Sequence, residues 1–421
     1  MTDRNYQIGS PLSPEFTPRL EARHRSSKLW EIIFKLSTIF GILMLTLLML
    51  TIINNLAGYV ATENTVDPAS LAVNGIPLEE LDKDSLVLIL QENVSKGLFR
   101  QVEREKPIAE RSREEIYELI LEKVIEPKVV KTWSLSDSIF NRSAVLAEAA
   151  SQYPAASLTF KSWINSTFLT NSQSSNPLIA GARTAILGSL WIIVITTLIA
   201  FPLGVGAAIY LEEYASNNRF NRIIQTNINN LAGVPSIIYG MLGLALFVRV
   251  LEPLTSGAMF GMTVDPSTAN GRTIFSASLT LAILILPLLI INGQEAIRAV
   301  PNSLREASYG VGATKWQTTW HHVLPNAISG ILTGTILSIS RAFGETAPLV
   351  VIGAATYITY DPNSPFSKFT TLPIQVYQWT ARPQEVFLNL AAGGILVLML
   401  MLLTVNAAAI ILRNRQSKPK L

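Results

Sequence analysis

The stretch Glu295–Pro325, EAIRAVPNSLREASYGVGATKWQTTWHHVLP, decides how the rest of the chain is read. It is a polar island between two apolar runs, Leu279–Ile291 before it and Ile328–Ile352 after it. Ser303, with Glu306 three residues on, satisfies the capping-box pattern and predicts a helix that starts there. Ala307, Gly310, Gly312 and Ala313 then supply a small-residue face, which suits close docking by another body.

Outward from this island the chain is a membrane protein by composition. Its 421 residues are 49% hydrophobic and only 15% charged, against about a quarter charged in a soluble domain. About 20 apolar residues cross a bilayer, and six runs qualify: Trp30–Ile53, Ile186–Leu211, Ile228–Leu251, Ile274–Ile291, Ile328–Ile352 and Phe387–Leu412. The third carries Asn229, Asn230 and Pro235 at its start, and the fourth is short and holds Pro287. Trp30–Ile53 is too long for the apolar part of a cleaved signal and is read as a retained first span.

Lys and Arg in the short loops set the orientation. Arg19, Arg23, Arg25 and Lys28, then Arg219 and Arg222, then Arg298, Arg305 and Lys315, then Arg413, Arg415, Lys418 and Lys420 fall on one side. The opposite short loops carry Arg249, Arg272, Lys368 and Arg382, offset by Glu252, Asp265, Asp361 and Glu385. Both termini and the island are therefore expected in the cytoplasm. Residues 54–180 are expected outside, and a segment of that length should hold structure of its own. Helical periodicity in Leu78–Phe99 and Arg113–Ile125, with a second capping box at Ser112 and Glu115, predicts a helical insert.

The fifth span holds the chemistry, in Ser338-Ile339-Ser340-Arg341-Ala342-Phe343-Gly344-Glu345-Thr346-Ala347-Pro348. An ionised residue mid-span costs about 2.5–3.5 kcal/mol on insertion scales. Arg341 and Glu345 are four apart and share a face if the helix continues. A guanidinium offers a planar fork of donors to a tetrahedral oxyanion, with Glu345 restraining it; a purely structural ion pair is the alternative. Gly344 and Pro348 weaken the helix there. Other chemistry is thin. The net charge of +3 is no nucleic-acid signature, and the lack of cysteine removes disulfides and thiolate metal sites. His321 and His322 have no carboxylate at ligand spacing, so no metal site is expected. No phosphate-binding Gly-x-x-x-x-Gly-Lys-Ser/Thr loop occurs, so the chain is not an ATPase by that route.

The island resembles the cytoplasmic motif of type-1 ABC importer permeases: Glu-Ala-Ala, three residues, Gly, nine residues, Ile, any residue, Leu-Pro. Glu306, Ala307 and Ser308 lead to Gly312, and Leu324-Pro325 closes the pattern in register; Ser308 replaces the second Ala and His322 the Ile. The region from Ile179 onward, with the first span, is similar to the PstA-type permease of the bacterial phosphate ABC importer. Gly204–Tyr214, Ala232–Gly240, Ser303–Ala307 and Arg341–Leu349 carry that likeness, the Gly344-Glu345-Thr346-Ala347-Pro348 segment most specifically. An Arg-Thr pair that the family places before the motif is here Ile291-Asn292, which leaves Arg341 as the candidate cation.

The resemblance implies an all-α membrane protein: a six-helix type-1 ABC permease core with a helical periplasmic insert between spans 1 and 2. Its division would be a tail over 1–29, span 1 over 30–53, the insert over 54–180, the core over 181–412 and a tail over 413–421. It implies a bacterial inner-membrane subunit that moves inorganic phosphate by alternating access and is not itself an enzyme. Arg341, Glu345 and Thr346 would line the substrate pathway; Ser303, Arg305, Glu306, Ala307, Gly312 and Ala313 would couple to the ATPase. Its partners would be a second, PstC-type permease, a dimer of PstB-type ATPase subunits holding ATP and magnesium, a PstS-type periplasmic phosphate-binding protein and the lipid bilayer. Two other readings stay open: a permease for sulfate or molybdate, and a membrane-anchored sensor or scaffold that works through the insert.

Overall fold

The computed structural model describes residues 20–73, 76–105, 107–261, 271–354 and 357–416. The expected tails at 1–19 and 417–421, with Arg19, Lys418 and Lys420, and also Asp265, lie outside the described residues. The chain forms two units, Met1–Ile53 and Asn54–Leu421. The described part of the first is a helix, α1 (Leu20–Asn54), which begins ten residues before the expected span. Charged residues end at Lys35, and the stretch from Leu36 to Ile53 is uncharged and mostly exposed.

The second unit opens with the insert. Strand β1 (Ala57–Asn64) is followed by α2 (Lys83–Asn93), α3 (Lys96–Glu105) and α4 (Arg113–Ile120), whose last turn widens into a π-helical turn over Leu121–Ile125. Next come β2 (Pro127–Thr132), α5 (Leu135–Phe140), α6 (Arg142–Gln152), β3 (Ser157–Ser162) and α7 (Ser166–Thr170). The expected helix over Arg113–Ile125 is present and its Ser112–Glu115 capping box forms, whereas the run Leu78–Phe99 is divided into a 3-10 turn at Leu78–Glu80, α2 and the start of α3, with Val94 extended between the helices. The insert is nevertheless not purely helical: its three strands pair antiparallel in the order β2-β1-β3. These strands lie far apart in the chain, and pairing across such separations is decided by packing rather than by local pattern. Leu78, Leu86, Leu90, Ile116 and Ile120 form a helical core of their own. Val60, Trp163 and Phe168 share a second core with Trp379, Phe387 and Leu390, so the base of the insert is built into the membrane unit.

That unit continues with α8 (Arg183–Ile209), prolonged by a π-helical turn at Tyr210–Tyr214, then α9 (Arg219–Ala232), α10 (Ser236–Gly243) running on to Val250, and α11 (Glu252–Thr255). There follow α12 (Ile274–Arg298), α13 (Asn302–Gly310), α14 (Lys315–Thr318), α15 (Leu324–Gly344), α16 (Ala347–Ile352), α17 (Leu372–Thr380) and α18 (Val386–Gln416). Among the described residues five helices are long and apolar enough to span a bilayer, or six when α9 and the α10 helix count as one bent span. The expected third span is therefore not a straight helix from Ile228: the chain turns by 107° between Ala232 and Ser236. Pro235 has no N–H to donate and keeps Val234 out of the helical region. The Leu231 carbonyl accepts from the Val234 N–H at 3.1 Å and from the Tyr239 hydroxyl at 2.7 Å, which closes the corner. The fourth span is longer than expected, because α12 runs on to Arg298 and takes in the start of the polar island.

α12 is the central helix. It packs on α8 and α15 through close backbone approaches; a Cβ on Gly334 would stand 2.4 Å from the Asn292 Cβ. Asn292, in the place of the family's Arg-Thr pair, therefore faces α15 as a packing residue. Ala208, Ile297, Val300, Val323, Ala327 and Ile331 form the core beneath the polar island.

Candidate functional site

Two sets of residues singled out by sequence lie in different parts of the membrane unit. The first is the polar island. Its helix α13 starts at Asn302 with Pro301 as N-cap and no side-chain cap bond, so the Ser303–Glu306 capping box does not form. Pro301, with its φ fixed at −58°, starts the helix two residues early and places Ser303 inside the first turn. Ser303, Glu306 and Ala307 are exposed, as are Gly310 and Gly312; Ala313 is half-buried. Gly312 sits at φ +85°, and a Cβ there would meet nothing within 4 Å. Backbone conformation, not crowding, demands glycine at this turn. Val311, at 86% exposure, leads an apolar exposed face with Trp316 and Trp320, whose rings stack 5.3 Å apart.

Ser308, the departure from Ala in the motif, is buried, and its hydroxyl lies 2.9 Å from the Thr318 hydroxyl, tying α13 to α14. Arg305 points inward rather than out. Its guanidinium donates to Glu213 Oε1 from Nε at 3.1 Å and from Nη2 at 2.7 Å. It also donates to the Val300 carbonyl at 2.7 Å, the Ile297 carbonyl at 3.0 Å and Asn302 Oδ1 at 3.2 Å. Side-chain exposure is 15% for Arg305 and 4% for Glu213. Arg298, at the end of α12, pairs with Glu212 at 2.5 Å, and Lys315 sits over the Tyr214 ring at 5.5 Å. Sequence reasoning assigned no role to Glu212 and Glu213. The available signal was two carboxylates ending an apolar span on the side where the other spans end in Arg and Lys.

The second set lies in the fifth span, where the helix breaks. α15 ends at Gly344, Glu345 takes extended backbone (φ −72°, ψ 124°), and α16 restarts at Ala347. Pro348 explains the break: continued helix would drive its ring into the Gly344 carbonyl four residues back. Arg341 and Glu345 still meet across the end of the helix, Nε to Oε1 at 3.4 Å, with side chains 44% and 17% exposed. Thr346 is half-buried at the break, its hydroxyl 3.5 Å from the Gly344 carbonyl. α16 is held against α10, where a Cβ on Gly240 would come within 2.6 Å of Pro348 Cα. Arg341 is thus a part-exposed guanidinium, bonded to Glu345, beside a break in the fifth span.

Compared with known proteins, residues 200–418 match the family model described as binding-protein-dependent transport system inner membrane component. Among curated relatives, the probable ABC transporter permease protein YqgI of Bacillus subtilis is 34% identical over 58% of this chain and 81% of its own length. The phosphate transport system permease protein PstA 1 of Mycobacterium tuberculosis is 35% identical over 55% of this chain and 70% of its own. PstA of Haemophilus influenzae is 32% identical over 54% and 73% respectively.

Proposed function

Because the chain belongs to the family of binding-protein-dependent transport system inner membrane components, we propose that it is the permease subunit that carries inorganic phosphate in an ATP-driven importer. The observation that carries this is the half-exposed Arg341 guanidinium, tethered by one bond to Glu345 at the break in the fifth span. A phosphate oxyanion can replace Glu345 as acceptor there, and the carboxylate competes for the fork, so the anion is released rather than trapped. The names of the PstA relatives support phosphate over other oxyanions.

The exposed face of α13, with Glu306, Ala307 and the Gly312 turn, is where an ATPase subunit docks on this proposal. That ATPase subunit, and not this chain, would bind ATP with magnesium and hydrolyse the ATP. A PstC-type permease would complete the pathway, two PstB-type ATPase subunits would drive it, and a PstS-type binding protein would deliver phosphate from outside. Both termini and the polar island would face the cytoplasm. The test is phosphate uptake into vesicles holding this chain with the other three components, with sulfate and molybdate as competitors. Uptake blocked by unlabelled phosphate alone is the expected result; uptake blocked by sulfate or molybdate, or absent while the complex hydrolyses ATP, would overturn it.

A further inference from the structure

The outward residues of α13 are the proposed docking face, but a docked helix moves the spans only if it is firmly joined to them. α13 has nine residues and no side-chain N-cap. It follows a Val300-Pro301 corner whose Pro301 supplies no N–H. A push on Glu306 or Ala307 could be absorbed by bending at that corner. What resists such bending is Arg305.

Its guanidinium ties three elements at once. It reaches Glu213 at the end of α8, the Ile297 and Val300 carbonyls at the end of α12, and Asn302 within its own helix. Carbonyls at a helix end lack the ordinary partner within the helix; Arg305 gives the Val300 carbonyl a donor and adds a second one to the Ile297 carbonyl, which also accepts from the Val300 N–H at 3.2 Å. The Glu213 side chain is nearly enclosed, at 4% exposure, and accepts two bonds from Arg305. A carboxylate so enclosed is held in place by its partner, because parting the pair leaves a buried charge uncompensated.

We infer that Glu213 and Arg305 are a positioning pair that makes the coupling helix move as one body with α8 and α12. The inference rests on the transport reading above, in which α13 receives the ATPase stroke. Glu213 touches neither substrate nor ATPase; it acts through Arg305.

Two measurements test this, and the first needs no substrate. The chain has no cysteine, so spin labels on Tyr214→Cys, the last residue of the π-turn that prolongs α8, and on the 86%-exposed Val311→Cys report the distance from the end of α8 to the end of α13. In the full chain in lipid nanodiscs one narrow distance distribution is expected. Glu213→Gln, which keeps shape and acceptor but removes the charge, should broaden it at least about twofold through loss of the buried pair. Arg305→Lys keeps the charge but cannot reach both carbonyls and Glu213 together, so it should broaden the distribution less. It also carries the test if Glu213→Gln fails to fold. An unchanged width in both variants overturns the pair's role.

The second measurement is phosphate carried per ATP hydrolysed by the assembled complex in vesicles. It should fall about tenfold in Glu213→Gln, within the ordinary range of a coupling free energy, while the assembled complex hydrolyses ATP. Uptake and assembly falling together at an unchanged ratio would reduce the pair to a structural role and overturn the inference. Failure of the unaltered complex to carry phosphate would count against the transport reading, and the label distances would still decide whether the strut exists.

Discussion

Arg341→Gln separates an anion-handling arginine from a structural one. The glutamine keeps a donor at nearly the same reach and loses the charge. The cost to the fold is small on the observed geometry. The Arg341–Glu345 pair has one 3.4 Å contact and a cation 44% exposed, and pairs of that kind are worth about 0–1 kcal/mol. The cost to an anion is larger. A unit charge about 4 Å from a cation gains about 4 kcal/mol at an effective dielectric of 20. Even a third of that energy is about a tenfold change in occupancy. Uptake at sub-saturating phosphate, per assembled complex, should therefore fall at least about tenfold, while assembly is nearly unchanged. Uptake close to that of the unaltered complex would refute the role, and so would loss of assembly ahead of uptake. The exchange Arg341→Glu with Glu345→Arg sharpens the test. Position 345 lies off the helix, on extended backbone and less exposed than position 341. A pure ion pair tolerates the exchange, whereas an anion site loses its cation, so restored uptake in the exchanged protein would end the proposal.

Other substitutions probe the remaining links. Gly312→Ala meets no neighbour but strains a backbone at φ +85°, about 1–2 kcal/mol, and should weaken coupling modestly. Gly312→Trp adds bulk to the docking face and should abolish phosphate-stimulated hydrolysis while the chain still inserts; hydrolysis at the unaltered rate with normal ATPase co-purification would contradict this. Gly240→Ala places a Cβ 2.6 Å from Pro348 Cα and should cost about 1–3 kcal/mol as overpacking, seen as a lower melting temperature of the detergent-solubilised chain; an unchanged melting point would show that α10 and α16 part easily. Ser112→Ala removes the cap of α4 and should lower its local stability by about 1 kcal/mol, read as faster amide exchange over Arg113–Ile120. In the insert, burial lowers the pKa of Lys161 from its usual 10.5. The unfolded chain then binds more protons between the lowered value and 10.5, so stability should rise with pH through that window. Lys161→Met should flatten the rise in thermal unfolding, and an equal slope in both proteins would place the pH dependence elsewhere.

Hydropathy, caps and prolines act over a few residues, and what they control was legible before any coordinates. The apolar runs placed the spans, the Ser112–Glu115 box placed α4, and the Gly344–Pro348 segment marked a weak point that is a true break. Local pattern also misled. Ser303 and Glu306 have the spacing of a capping box, but Pro301 starts the helix first. The run from Ile228 to Leu251 has the hydropathy of one span, but Pro235 folds it into a corner.

Tertiary structure alone decided the rest. The strands β1, β2 and β3 are short and weakly patterned, and their pairing joins Ala57–Asn64 to partners 63 to 105 residues away in the chain. Such pairing follows from which faces are buried together. Arg305 reads in sequence as one more charge on a docking face; only the fold turns it inward to Glu213, 92 residues earlier. The sequence by itself determined which segments are long and apolar enough to cross a membrane and where the polar island lies between them, because both depend on composition and spacing along the chain. It could not determine which charges meet, because a buried ion pair depends on two helix ends arriving at one point, and that is set by the packing of α8, α12 and α13 together.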